Sequence, residues 1–254
     1  MTTPLHDSVR GALSTMRLRE MDPALLSFAI AGLADELGVG NPRFHDAMAL
    51  AAYVHRSDRR GARGDLPLDV YITHPYRNVL RLLRYGCADE QILIAAALHD
   101  TVEDHPENIT GLFDPPHSPT PDDGHSARAL ELLQQHFGPK AAHIVAAVTN
   151  PAHSDGASET ERHCAYRQHV ADVIVDPEVF LVKFVDFVDN AASLAFMPDA
   201  NGRERRACKY APLTEIFSQA LEVHVDELPI NAAGLEQIRK HLATIKTRLA
   251  DLIR

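Results

Sequence analysis

The chain has only three cysteines, Cys87, Cys164 and Cys208, far apart and without a CxxC pair. So few, in an odd number, exclude a disulfide framework and predict free buried thiols in a cytoplasmic protein. No apolar stretch approaches the roughly 20 residues of a membrane span. The opening MTTPLHDSVRGALSTMRLRE lacks the apolar stretch and cleavage site of a signal peptide. A basic excess is missing as well: the formal net charge is -10, which argues against polynucleotide binding. A small polyanion remains compatible, because a local basic pocket or a metal reverses the field. Arg56, Arg59, Arg60 and Arg63 form one such cluster, and Arg203, Arg205, Arg206 and Lys209 another. Hydrophobic residues at 45% and charged residues at 24% are ordinary for a soluble globular protein.

No segment alternates as a strand, and no internal repeat or domain boundary is visible. Helical periodicity runs throughout. Two N-terminal helices are predicted over Leu5 to Leu18 and Pro23 to Leu37, and a third over Phe44 to Arg56, with Ala47, Leu50, Ala51 and Val54 on one face. The stretch RRGARGDLPLDVY reads as a loop. Pro75 starts a helix that stops at Gly86, and Asp89 caps the next, running to about Asp104. The segment HPENITGLFDPPHSPTPDDGH, with five prolines, predicts a loop insertion over 106–124. Helices resume at Ser126–Phe137 and Lys140–Val148. Ser158 and Glu161 form a capping box, and Asp176-Pro177 opens the helix that carries Asp186. Residues 231–254 place Leu235, Ile238, Leu242, Ile245, Leu249 and Leu252 at helical spacing, as a packing helix or a homodimer seam. The expectation is one all-α domain over 1–254, about ten helices, with its functional core at about 44–210.

Within it, AAALHDTVED runs from apolar residues straight into His99, Asp100, Glu103 and Asp104. Burying four ionisable groups at the end of an apolar helix costs several kcal/mol unless something pairs with them. A cation is the simplest partner. His74 and Asp186 complete a mixed N/O set suited to Mn²⁺, Fe²⁺ or Zn²⁺. Residues four apart share a helix face, so Glu103 and Asp104 lie one turn beyond His99 and Asp100, aimed at whatever the metal holds. A bound metal would lower the pKa of its water, and Glu103 or Asp104 would orient or deprotonate that water. In LVKFVDFVDNAASL, Lys183, Asp186 and Asn190 share a polar stripe on an otherwise apolar helix, with Asp189 at its edge. His55 reads as a core histidine. Of the remaining histidines, His6, His45, His117, His125, His136, His153, His224 and His241 read as surface residues.

These residues, in the order H…HD…D, resemble the HD-domain metal-dependent phosphohydrolases, and in particular the RelA/SpoT hydrolase domain. The matching stretches are AAYVH, RRGARGDLPLDVYITHP, ALHDTVEDH, QQHFGPKAAHIVAAVTNP and VKFVDFVDN, with a weaker match in RACKYAPL. The resemblance implies an all-α bundle in which His74, His99, Asp100 and Asp186 ligate Mn²⁺, with Fe²⁺, Zn²⁺ or Mg²⁺ as alternatives. It implies that Glu103 and Asp104 position the attacking water, and that Arg59, Arg60, Lys183, Asn190, Arg206 and Tyr210 contact the nucleotide. The implied reaction is that of a guanosine-3′,5′-bis(diphosphate) 3′-diphosphatase, removing 3′-pyrophosphate from guanosine alarmones or their adenosine relatives. No synthetase region follows, so a small single-domain alarmone hydrolase is expected.

Several positions depart from the family pattern. RRGARGDLPLDV replaces the basic-Ser-Gly-Glu-Pro loop, His105 stands where Thr usually follows the acidic pair, and Asn150 replaces a Lys. Asp189 replaces a His or Tyr, which predicts extra negative charge close to the polyphosphate. The insertion over 106–124 is expected beside the site, as a lid. These differences bear on base recognition rather than on the metal. Two other readings fit the same residues. One is a 3′-phosphatase acting on NADPH or other 3′-phosphorylated adenine nucleotides. The other is a non-catalytic, antitoxin-like nucleotide binder, against which both Glu103 and Asp104 speak.

Overall fold

The computed structural model describes residues 4–60, 70–114, 124–151 and 156–254, with side chains from residue 8 onward. Among these residues the protein is all-α. The helices are α1 (Pro4–Thr15), α2 (Pro23–Glu36), α3 (Pro42–Val54), α4 (Thr73–Arg84), α5 (Glu90–Leu98), α6 (Thr101–Asp104) and α7 (Pro106–Phe113). They continue with α8 (His125–Phe137), α9 (Pro139–Val148), α10 (Glu159–Val173), α11 (Pro177–Ser193), α12 (Ala200–Tyr210), α13 (Leu213–His224) and α14 (Ala232–Leu252). Short 3-10 turns lie at Leu18–Glu20 and Leu194–Phe196, and a single antiparallel bridge joins Arg59 to Val70.

Two helices form the centre. In α5 every residue from Ile92 to Leu98 is buried, and in α11 the buried run extends from Val179 to Asp189. A helix apolar on all sides must be covered on all sides. Here α4, α9 and α11 pack around α5, while α3 covers a further face and α2 backs α4. The start of α11 is fixed by Asp176, which accepts from the backbone N–H groups of Glu178 and Val179. α4 ends at Gly86, whose φ of 78° is open to glycine at no steric cost. α14 closes the bundle beside that end, with the Asn231 N–H bonded to the Tyr85 carbonyl.

Four expectations change. The helix predicted to run to Asp104 bends at His99 and Asp100, because two side chains claim carbonyls of its last turns. Thr101 Oγ1 donates to Leu98 O at 2.7 Å, and His99 Nδ1 lies 3.0 Å from Ala96 O. The first half of the predicted 106–124 loop is a helix: Pro106 occupies the first turn of α7, and Ile109 and Thr110 are buried. The remainder of that segment at 115–123, and with it the lid, lies outside the described residues, as do Arg63, His117 and His153. Finally, Cys87 is buried as expected, whereas Cys164 and Cys208 are exposed, and His224 is buried, with Nε2 2.8 Å from Ile174 O.

Candidate metal centre

The N-terminal turn of α4, the α5–α6 bend and the middle of α11 bring His74, His99, Asp100 and Asp186 to one point. His74 Nε2 lies 3.2 Å from His99 Nε2 and 3.1 Å from Asp186 Oδ1. Asp100 Oδ2 lies 3.0 Å from His99 Nε2 and 3.5 Å from His74 Nε2. The hydrogen bonds behind the two rings settle what this convergence contains. His74 Nδ1 faces Asp189 Oδ2 at 2.8 Å, and His99 Nδ1 faces the Ala96 carbonyl. Both partners only accept, so each Nδ1 carries a proton, and a ring that holds no second proton turns a bare Nε2 lone pair inward. With both rings neutral, two imidazole lone pairs and two carboxylates would face one another without a hydrogen among them. Only a cation or added protons relieve that, and the N₂O₂ donor set fits a divalent metal. When protons fill the site, burial opposes charging His99, but Asp100 and Asp186 outweigh it and push its pKa up to about 10.

The expectation for Asp189 is overturned. It does not project toward a polyphosphate; it is fully buried behind His74 and wrapped by guanidinium groups. Arg77 holds it through two bonds of 2.8 and 3.0 Å, with Arg19 at 3.2 Å, Arg60 at 3.3 Å and Arg81 at 3.5 Å. Burial alone would raise its pKa, yet Arg77, Arg19 and His74 hold it well below the usual carboxylate range. A legible signal existed: His74, Arg77 and Arg81 sit at positions i, i+3 and i+7 of α4, one face with two arginines and a ligand. Tyr71, also missed, donates from its hydroxyl to Asp100 Oδ2 at 2.5 Å.

The remaining candidates separate. Asn190 bridges, donating to Asp186 Oδ1 at 2.6 Å and accepting from Arg60 at 2.5 Å, so Arg60 belongs to the support of α11. Lys183 does not pair with Asp186. Its Nζ donates to Val148 O at 2.8 Å and Asn150 Oδ1 at 3.3 Å. Asn150 in turn holds Glu103, through its backbone N–H at 2.8 Å and its side-chain amide at 3.0 Å. Asp104 is open to solvent at its tip, yet partial burial, with the Asp100 and Glu103 charges, pushes its pKa up to about 6. Arg59 is exposed and bonded to the Asp58 carbonyl. Arg206 is exposed on α12, and Tyr210 is buried against Tyr166 and Phe187.

A cleft of about 470 Å³ opens beside Glu103, lined by Asn150, Pro151, Tyr166 and Lys209. The Lys209 ammonium lies 3.8 Å from the centre of the Tyr166 ring.

Residues 71–191, which span all four convergent side chains, match the family model described as the HD domain. Among curated proteins the chain is similar to the guanosine-3′,5′-bis(diphosphate) 3′-pyrophosphohydrolase of Aquifex aeolicus, 28% identical over 143 residues, covering 56% of this chain and 17% of the relative. It is 30% identical over 150 residues to a probable GTP pyrophosphokinase of Mycobacterium leprae, covering 59% of this chain and 16% of the relative. The GTP pyrophosphokinase rsh of Brucella ovis matches over 217 residues at 24% identity, covering 84% of this chain and 26% of the relative. The chain therefore spans between about a sixth and a quarter of the length of these relatives. Residues 71–191 thus match an HD domain, and it is through this stretch and these relatives that the chain is similar to proteins of the RelA/SpoT type.

Proposed function

We propose that the protein is a divalent-metal-dependent hydrolase, Mn²⁺ foremost, that removes 3′-pyrophosphate from guanosine tetra- or pentaphosphate or the adenosine counterparts. The observation that carries this reading is the meeting of His74 Nε2, His99 Nε2, Asp100 and Asp186 at one buried point next to an acidic pair. A cation held there supplies Lewis acidity and lowers the pKa of water. Asp189 keeps His74 in the ligating tautomer, Tyr71 aims Asp100, and Asn190 aims Asp186. The two acidic residues divide their work. Glu103 is fixed through both oxygens by Asn150 and therefore positions water. Asp104, raised to about 6, is basic enough near neutrality to take its proton. The oxygen then bonds to phosphorus, the P–O3′ bond breaks, O3′ takes up a proton, and pyrophosphate leaves with the nucleoside 5′-diphosphate (from the tetraphosphate) or 5′-triphosphate (from the pentaphosphate) as the second product.

Lys209 in the cleft and Arg206 one turn before it supply the positive charge that a polyanion needs on a chain of net charge -10. A free nucleotide in the cytoplasm, rather than a polynucleotide, is the partner in this reading. No helix among the described residues is long and apolar enough to cross a membrane.

The test is turnover of guanosine tetraphosphate, adenosine tetraphosphate and NADPH by Mn²⁺-loaded protein, with Asp100→Ala as control and products separated by chromatography. Pyrophosphate release that disappears in the variant supports the proposal. Orthophosphate from NADPH alone would move the reading to a 3′-phosphatase, and bound metal without turnover of any of the three would defeat it.

A further inference from the structure

A second group of ligand-type side chains lies within reach of one ion, outside the centre described above: His55 at the end of α3, Asp58, and His105 between α6 and α7. Asp58 Oδ2 is 2.8 Å from His55 Nδ1 and 2.9 Å from His105 Nε2. The other nitrogen of His105, Nδ1, lies 3.2 Å from Glu107 Oε1. A carboxylate only accepts, so Nδ1 holds a proton; burial opposes charging this ring, but Glu107 and Asp58 raise its pKa, and on loss of its second proton His105 turns its Nε2 lone pair onto the Asp58 carboxylate. Glu107 thus stands to His105 as Asp189 stands to His74. His55 is 2% exposed and turns Nδ1 toward Asp58; as a ligand it would carry its proton on Nε2, which has no hydrogen-bond partner among the described residues. Burial lowers its pKa and favours the neutral ring, which is the ligating form.

We propose that His55, Asp58 and His105 hold a second divalent cation, of the Zn²⁺ class. Two imidazoles and one carboxylate form an N₂O set that leaves a fourth tetrahedral position for water. The cation would tie the segment after α3 to the α6–α7 joint, one aromatic ring away from the first centre. The His55 ring lies 4.5 Å from that of Tyr71, the residue whose hydroxyl aims Asp100. The competing occupant is a proton. A charged His105 donating to both Asp58 and Glu107 gives the same distances, and metal stoichiometry separates the two.

Metal-free full-length protein is titrated with Zn²⁺ by calorimetry and with Co²⁺ by visible absorption, for the wild type and for His105→Ala, Asp58→Asn and His74→Ala. The proposal expects two equivalents in the wild type and one in His105→Ala and Asp58→Asn. His74→Ala loses the other equivalent and keeps the His55 site. A single equivalent in the wild type that is lost in His74→Ala overturns the proposal, and so does an undiminished stoichiometry in both His105→Ala and Asp58→Asn. His105 is 30% exposed in its side chain, so its truncation spares the fold, and circular dichroism melts check this. The readout needs no turnover, so failure of the hydrolase reading leaves it standing.

Discussion

Replacing Asp189 with Asn tests the support of the metal centre while leaving its four ligands in place. The substitution keeps the shape but removes the charge shared by Arg77, Arg19, Arg60 and Arg81, and it weakens the acceptor behind His74. Breaking a buried ion pair costs about 3–5 kcal/mol, and losing the partner of a ligating histidine weakens metal binding about 10–100-fold. Denaturant unfolding and a metal titration of Asp189→Asn are expected to show both losses; metal affinity equal to wild type would mean that the carboxylate does not orient His74. At Asp104 the prediction concerns pH. Its carboxyl is raised to about 6, by burial first and by Asp100 and Glu103 second. A base must be unprotonated, so kcat/KM is expected to rise with pH and level off above about 6, falling about tenfold per unit below it. Asp104→Asn removes this limb along with most of the rate. A limb that persists in the variant assigns the proton transfer elsewhere.

Elements show why part of the structure was readable in the chain and part was not. His99-Asp100 at the end of an apolar run was legible because burial of charge demands a partner, and that demand is written in composition. The bend that aims these two residues was not, because it depends on side chains bonding to the carbonyls of Ala96 and Leu98, which periodicity does not register. Asp189 was misplaced for a related reason. A carboxylate three residues after a ligand looks like more of the site until the arginines of α4 are seen to fold around it. In the proline-rich stretch, composition averaged over twenty residues hid the eight-residue α7, in which Pro106 starts a helix instead of breaking one. At the other end of the bundle, α14 approaches α4 so closely that a Cβ on Gly234 would sit 2.0 Å from the Tyr85 carbonyl oxygen. Backbone is slow to yield, so Gly234→Ala is expected to lower stability by about 1–3 kcal/mol. Urea unfolding measures the loss, and a midpoint unchanged from wild type would show that α14 docks differently. Metal stoichiometry is expected to survive this substitution, since no ligand lies on α14.

The whole molecule is coupled to its ion through protons and stability. Burial opposes a charged His99, but Asp100 and Asp186 prevail and raise its pKa to about 10, so the metal-free protein carries that proton at neutral pH. Metal must displace it. Apparent affinity is therefore expected to climb with pH, about tenfold per unit up to about 10. Calorimetry in buffers of different ionisation heat would register about one proton released per ion bound; heats independent of the buffer would contradict it. By the same linkage, metal at 100 times its Kd adds about 2.7 kcal/mol to folding stability, and a chelator lowers the melting temperature accordingly. The spacing of the groups that build the site also suggests an order of events. His74 and His99 stand 25 residues apart, whereas His74 and Asp189, the carboxylate that backs this ligand, stand 115 apart, across a long chain closure. Distant closures come slowly. The ion is therefore expected to be captured late, so that metal added during refolding changes the final phase; an effect confined to the first phase would contradict this.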